Sequence, residues 1–135
     1  MGGVLLKILC YICAMLKVTG NIIEGNKVGR EIGFPTMNLS YDGRSNGVFV
    51  GRLVVKEVSY PCAVNLGHRP TVDDNVGCEI YVVDDDFRGL EYGTYIEIEI
   101  LTRIREIKKF DNMEALKEAI VADVVFVKNW YNSVN

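Results

Sequence analysis

The chain has 135 residues, carries 15 Lys and Arg against 18 Asp and Glu, and is 49% hydrophobic. This length fits one domain with a real core, and this apolar content excludes a disordered chain. A net charge of -3 without a run of Lys or Arg argues against a general nucleic-acid binder. Four cysteines without framework spacing argue against a disulfide scaffold and favour a reduced, cytoplasmic setting.

The N-terminal stretch is an apolar lead-in. Residues 4–16 are apolar apart from a single lysine, and this stretch is too short to span a bilayer. No basic region precedes it, so a signal peptide is the weaker interpretation and we expect no membrane partner. Cys10 and Cys13 lack a second cysteine pair or a histidine at zinc-ligand spacing. We interpret residues 1–16 as a lead-in, with a short helix packed on the domain as one form, and residues 17–135 as a single domain.

Short apolar stretches separated by turn residues predict β-strands after this lead-in. The clearest strand contains Ile96, Ile98 and Ile100, which alternate with polar residues in a strict period of two. A turn at 57–59 separates the second and third strands. The predicted strands cover residues 18–23, 48–58, 60–66, 78–84 and 95–104.

One helix is predicted, at the C-terminal end of the chain. Asp111 is the candidate N-cap, and Glu114 three residues later completes a capping box. Several short strands and one terminal helix indicate an antiparallel barrel or sandwich with the helix packed against it. The helix has one apolar stripe at spacings of three and four, formed by Met113, Leu116, Ile120, Val124, Val127 and Tyr131.

Residues 25–38, G-N-K-V-G-R-E-I-G-F-P-T-M-N, are the stretch most suited to binding chemistry. Its glycines let a backbone approach a ligand closely, and exposed N–H groups in such loops can hold phosphate oxygens. Lys27 and Arg30 add positive charge. Thr36 and Asn38 would point the same way if this part is extended, and their oxygens are hard ligands suited to Mg²⁺. By composition alone, an ordinary surface loop explains the stretch at least as well.

Residues 29–39, G-R-E-I-G-F-P-T-M-N-L, resemble the signature G-R-x-L-G-F-P-T-A-N-L of the riboflavin kinase family. Further family motifs follow in the family's order, so that the resemblance covers residues 18–123. These are G-V-F at 47–49, N-L-G-H-R-P-T at 65–71, C-E-I at 78–80, Y-G at 92–93, the stretch at 104–110 that begins I-R and ends K-F, and Asp123 in the helix.

The resemblance implies a mainly β fold, a six-stranded antiparallel Greek-key barrel with a C-terminal α-helix. It also implies transfer of the γ-phosphoryl group of ATP to the ribityl 5′-hydroxyl of riboflavin, which gives FMN and ADP, with Mg²⁺ as cofactor. We therefore expect riboflavin/FMN and ATP/ADP as partners of a cytoplasmic monomer, and neither nucleic acid nor membrane. Residues 1–16 cannot hold the adenylyltransferase domain of many bacterial members, so we expect no FAD synthesis by this chain.

Carried over residue by residue, the resemblance places the nucleotide in the glycine-rich stretch. Gly25 and Arg30 match positions that line the ATP phosphates. Thr36 and Asn38 match the positions that hold both the nucleotide and Mg²⁺.

On the acceptor side, Glu79 matches the family's catalytic carboxylate, and Arg105 and Phe110 match positions near its flavin site. Glu79 alternates with apolar neighbours on its strand, so it points away from both of them. Without the resemblance, a solvent-facing strand residue is the better interpretation of Glu79. Two residues depart from the family pattern: Met37 replaces a small alanine, and Tyr81 stands where many members have histidine.

Two other functions stay open on the sequence. One is a catalytically silent flavin- or nucleotide-binding module on the same barrel, and the other is a β-barrel interaction domain. Joint retention of Thr36, Asn38 and Glu79 favours the enzyme, because a binding module has no need of the carboxylate.

Overall fold

A computed structural model of the chain describes residues 16–24, 36–68 and 76–134. Over these residues the chain forms six strands and one helix. They are β1 (Lys17–Asn21), β2 (Thr36–Leu39), β3 (Gly47–Val55), β4 (Val58–His68), β5 (Val76–Val82), β6 (Tyr95–Arg105) and α1 (Met113–Val134).

All strand pairs are antiparallel, and the sheet has the order β1-β6-β3-β4-β5-β2. Within it, β3, β4 and β5 are consecutive neighbours and β6 returns to lie beside β3, which is the Greek-key arrangement. The sheet curls until its outer strands meet, where the backbone N–H of Ile23 donates to the carbonyl of Asn38 at 2.9 Å. The predicted mainly β barrel with a C-terminal helix is confirmed.

The two faces of the sheet bury different apolar clusters. The inner face forms the barrel core, where the predicted alternation is confirmed because Ile96 and Ile98 are fully buried. Part of the outer face is covered by α1, whose apolar stripe packs there as predicted, apart from the exposed Met113. The cluster beneath the helix consists of Val50, Ala63, Tyr81, Val83, Leu116, Ile120, Val124 and Val127.

Gly51 on β3 borders the tightly packed barrel core and binds the end of α1 through its backbone carbonyl. A Cβ atom at this position would lie 2.6 Å from the Cγ2 atom of Val64, so only glycine fits without a shift of its neighbours. The β3–β6 register changes between Val50 and Gly51, which marks a β-bulge or irregularity there. The hydroxyl of Tyr131 donates to the carbonyl of Gly51 at 2.7 Å and fixes the end of α1 against the barrel.

Two local predictions are wrong by one or two residues. The N-cap of α1 is Asn112, whose Oδ1 accepts from the backbone N–H of Ala115 at 2.8 Å, so the predicted capping box does not form. The turn between β3 and β4 is Lys56-Glu57, and Val58 begins β4. Both turn residues have positive φ, 47° and 69°, which a two-residue hairpin usually assigns to Asn or Gly, so the sequence signal was missing.

β2 is absent from the strands predicted by apolar patterning, because only four residues form it. Its extended conformation does meet the condition under which Thr36 and Asn38 share a direction. Among the described residues, no helix has the length and apolar content needed to cross a membrane.

Candidate functional site

A row of polar side chains crosses the outer face of the sheet. Asn38 on β2 lies directly opposite Glu79 on β5, and Asn65 on β4 lies opposite Glu79 on its other side. Directly opposite residues of antiparallel strands project from the same face. The residues that alternate with them belong to the barrel core, so Asn38, Glu79 and Asn65 all project outward.

Tyr81 lies in the next cross-strand row on the same face and connects that row to Glu79. It lies opposite Thr36 on β2 and Ala63 on β4, two residues along β5 from Glu79. Its hydroxyl donates a hydrogen bond to Oε1 of Glu79. Tyr81 also packs in the cluster beneath α1, so the helix fixes the tyrosine and the tyrosine fixes one oxygen of the carboxylate.

Glu79 is the most deeply buried charged residue of the described chain, with 2% of its surface exposed. Burying a charge costs free energy unless hydrogen bonds or charges compensate it. A solvent-facing role, the alternative that the sequence favours, is therefore wrong. A buried, oriented carboxylate beside other polar groups is suited to binding a hydroxyl group and taking its proton.

Two of the four predicted nucleotide and metal residues, Thr36 and Asn38, lie on β2. Gly25 and Arg30 lie outside the described residues. Thr36, near the end of the glycine-rich stretch, begins β2, and Asn38, 8% exposed, projects from the same face two residues later. With Glu79 in register, the site contains a hydroxyl, an amide and a carboxylate.

This donor set fits a hard cation such as Mg²⁺, which typically takes one or two protein oxygens and completes its shell with waters and substrate phosphates. No group of three His, Cys, Asp or Glu residues that could hold a metal ion occurs in the described ranges. The fit therefore depends on Thr36 and Asn38 together with oxygens of a bound nucleotide.

Asn65 belongs to the polar row, although from the sequence it is only the first residue of a motif and has no predicted role. Its Oδ1 is buried and, within the described part of the chain, is the one buried side-chain nitrogen or oxygen without a hydrogen-bond partner. The available signal was its place between Val64 and Leu66, which point inward and so send Asn65 outward. That Glu79 lies beside Asn65 follows from the pairing of β4 with β5, which the alternation along a single strand does not reveal.

The predicted flavin residues, Arg105 and Phe110, contact each other. The Arg105 guanidinium lies 5.6 Å from the centre of the Phe110 ring. Arg105 also forms a two-pronged ion pair with Asp123 on α1, with Nε to Oδ1 at 2.9 Å and Nη2 to Oδ2 at 2.8 Å. The pair joins the end of β6 to the helix, so Arg105 has a structural partner before any ligand binds.

Asp123 is 5% exposed, and burial is the main influence on its titration. Desolvation raises the pKa of the Asp123 carboxyl above its usual value, while the hydrogen bonds and positive charge of Arg105, and the charge of Lys108, act in the opposite direction.

One cross-strand row connects the two parts of the site. Val48 on β3 lies opposite Asn65 on β4 and opposite Arg105 on β6. The row therefore runs from Asn38 through Glu79, Asn65 and Val48 to Arg105. Since neighbouring strands are about 4.8 Å apart, Arg105 lies three strands, or roughly 14 Å along the sheet, from Glu79.

Comparison with known proteins identifies the family of the chain. The family model described as riboflavin kinase matches residues 13–131. The chain belongs to the riboflavin kinase family. The family recognised from the sequence motifs is thus confirmed.

Curated relatives show the same relationship. An RNA-binding riboflavin kinase of Bacillus subtilis is 34% identical over 112 residues, which cover 82% of this chain and 49% of the relative. A bifunctional riboflavin kinase/FMN adenylyltransferase of Haemophilus influenzae is 34% identical over 122 residues, which cover 87% of this chain and 39% of the relative. The chain thus spans half or less of the length of these relatives.

Solved structures share the fold. A structure described as a macrolide-efflux protein from Streptococcus pneumoniae has a TM-score of 0.72 and 31% identity, covering 85% of this chain and 39% of its own. A riboflavin kinase from Trypanosoma brucei has a TM-score of 0.58 and 22% identity, covering 86% of this chain and 79% of its own. At that identity the second structure supports the fold alone.

Proposed function

We propose that this domain transfers the γ-phosphoryl group of ATP to the 5′-hydroxyl of riboflavin and so forms FMN and ADP. One observation carries the proposal: Glu79, a buried carboxylate, lies directly opposite Asn38 in one cross-strand row, and Thr36 lies two residues from Asn38 on the same face. Membership of the riboflavin kinase family supports the identity of both substrates.

Glu79 acts on the acceptor alcohol. A primary alcohol is a poor nucleophile, and a carboxylate within hydrogen-bond reach can orient it and take its proton. As the hydroxyl oxygen bonds to the γ-phosphorus, the bond from that phosphorus to the ADP oxygen breaks, and the hydroxyl proton passes to Glu79. The hydrogen bond from Tyr81 holds the carboxylate in one orientation for this step.

Thr36 and Asn38 hold the nucleotide together with Mg²⁺, and Gly25 and Arg30 line the ATP phosphates. When bound, Mg²⁺ supplies positive charge that neutralises the phosphoryl oxygens during transfer. The residues of the chain contribute position: Thr36 and Asn38 project from the same face as Glu79, so the phosphoryl donor lies beside the carboxylate that binds the acceptor.

Arg105 and Phe110 border the flavin. An aromatic ring offers the flat surface on which a planar ring system packs. Because Asp123 already occupies two nitrogens of Arg105, we assign the stacking surface to Phe110 and give Arg105 the task of holding that ring in place.

We further propose a cytoplasmic monomer that needs neither nucleic acid nor a membrane. One relative is named an RNA-binding riboflavin kinase. The net charge of -3 and the lack of a run of Lys or Arg in this chain support a function without RNA.

The deciding experiment mixes purified protein with riboflavin, ATP and Mg²⁺ and follows FMN by chromatography, with Glu79→Gln as the matched control. Formation of FMN by the natural protein and its loss in the control support the proposal. Riboflavin binding without FMN formation would identify the silent flavin-binding module instead. Binding of neither substrate would leave only an interaction domain.

A further inference from the structure

We propose that Asn65 binds the acceptor substrate, because its Oδ1 is placed to accept a hydrogen bond from a hydroxyl group of the polyol chain that carries the reacting alcohol. The inference rests on the proposed function, since it concerns the same site, and it adds a residue that contacts the substrate between its reacting end and its ring.

Asn65 lies between the two ends of the proposed acceptor site. Asn65 lies one strand from Glu79 and two strands from Arg105, with Val48 between. A substrate whose reacting hydroxyl is at Glu79 and whose ring is near Phe110 must cross β4 and β3. Asn65 is the polar side chain on that path among the described residues of the row, so a hydroxylated linker passes directly over it.

A buried oxygen of Asn65 has no hydrogen-bond partner among the described residues. Buried side-chain oxygens in folded proteins nearly always accept a hydrogen bond, and one that does not costs free energy. The Oδ1 of Asn65 is such an oxygen. Two other asparagines of the described residues do have a hydrogen-bond partner: Oδ1 of Asn112 caps α1, and Nδ2 of Asn21 donates to the carbonyl of Gly93 at 2.7 Å.

Glu79, the neighbour of Asn65, limits which ligands can bind here. An amide oxygen accepts hydrogen bonds, and the carboxylate oxygens of Glu79 beside it are acceptors as well, as the hydrogen bond from Tyr81 shows. Two adjacent acceptors select a ligand rich in donors. Phosphate groups are acceptors and are disfavoured here, whereas a polyol has a donor on every hydroxyl. The phosphate groups of the nucleotide are thereby directed to the Thr36 side of the site.

The experiment makes the same change, Asn to Leu, at two positions, because leucine keeps the branched shape of asparagine and lacks its hydrogen-bonding atoms. Asn65→Leu removes an oxygen that has no partner in the free protein, so its thermal midpoint should equal or exceed that of the natural protein. Riboflavin affinity, measured by quenching of flavin fluorescence in the presence of ADP and Mg²⁺, should fall about tenfold. The KM for riboflavin should rise by a similar factor, with kcat less affected and the KM for ATP unchanged.

Asn21→Leu is the matched control, because Asn21 is the last residue of β1 and lies outside the polar row. It removes an amide that is already hydrogen-bonded, so it should lower the thermal midpoint and leave riboflavin affinity unchanged. A lowered midpoint together with unchanged riboflavin affinity in Asn65→Leu would overturn the inference, because that pair of results describes a structural residue.

A second variant keeps the test decisive if the leucine is poorly accommodated. Asn65→Ser retains a shorter oxygen acceptor, and its riboflavin affinity should lie between those of the natural protein and Asn65→Leu. Equal affinity in all three proteins would overturn the inference while FMN formation by the natural protein upheld the proposed function. Riboflavin binding without FMN formation would overturn the proposed function, and the affinity series would still decide the role of Asn65. A natural protein that binds no riboflavin would overturn both.

Discussion

Two clusters of buried polar side chains lie on the outer face of this barrel, and they differ in how they are satisfied. Arg105 and Asp123 face each other as a complete two-pronged pair between β6 and α1. In the row on β5 and β4, Glu79 is held by Tyr81, yet Asn65 beside it has an oxygen without a partner. The complete pair joins β6 to α1, whereas the incomplete row retains an acceptor that the proposed substrate would use.

The largest expected effect is on catalysis. Glu79→Gln keeps an oxygen that can accept from Tyr81 but loses the ability to take a proton, so kcat should fall by about 10²–10⁴-fold. The free energy of unfolding should not fall, because a buried charge is removed and the hydrogen bond is kept. Parallel measurement of FMN formation and urea unfolding checks this. Equal kcat in the two proteins would remove Glu79 from the chemistry.

The next effect is on stability. Asp123→Ala removes both acceptors of Arg105 and leaves a half-buried guanidinium without a partner, so the free energy of unfolding should fall by about 3 kcal/mol. Glu79 and Asn65 are untouched, so the folded variant should still form FMN. Urea unfolding and an activity assay at low temperature separate the two readouts. An undiminished free energy of unfolding would show that the pair does not hold α1 to the barrel.

A smaller effect is expected at the nucleotide. Thr36→Ala removes one hydroxyl ligand, so the KM for ATP at limiting Mg²⁺ should rise about tenfold, a loss of about 1.4 kcal/mol. Titration of activity against Mg²⁺ at fixed ATP checks this, with riboflavin binding as the internal control. Identical Mg²⁺ curves for the variant and the natural protein would contradict the assigned role.

The pH dependence of the unfolding free energy separates the contribution of the Asp123 charge from that of its shape, and this effect should be the weakest. Because the folded pKa of Asp123 is raised, the folded state holds this proton to higher pH than the unfolded state does. Its contribution to stability is therefore greatest below the unfolded pKa, near 4, and declines as pH rises through the folded pKa.

Asp123→Asn, which has no proton to lose, lacks this contribution and serves as the control. The difference in unfolding free energy between the natural protein and Asp123→Asn should therefore shrink as pH rises from acid to neutral. A difference that grows over that range would mean that the charge of Arg105 outweighs burial and that the folded pKa is lowered.

The architecture of the barrel could be predicted where periodicity is strong. The alternation at Ile96, Ile98 and Ile100 and the apolar stripe of α1 identify their elements from local sequence alone. The predicted positions of the end of β3 and of the start of α1 are less accurate. Lys56-Glu57 forms a hairpin turn without glycine, and the helix cap is Asn112 instead of the predicted Asp111, because Asn112 is the residue that contacts the helix backbone.

The site could be predicted only in part. Thr36, Asn38 and Glu79 follow from a resemblance in short motifs, and the structure brings them together through the β2–β5 register. The place of Asn65 and the link to Tyr81 depend on pairing between residues distant in sequence, which no local pattern specifies. The missing partner of Asn65 is a property of packing and has no sequence signal.

The hydrogen bond from Ile23 to the carbonyl of Asn38 has a consequence for solubility. An outer strand normally presents unpaired backbone groups to which another chain can add, which is a route to aggregation. At Asn38 the strand is instead held on both sides, by β5 and by Ile23. The same backbone contact that fixes the position of Asn38 therefore leaves no free acceptor at this residue to which the edge of a second copy could add.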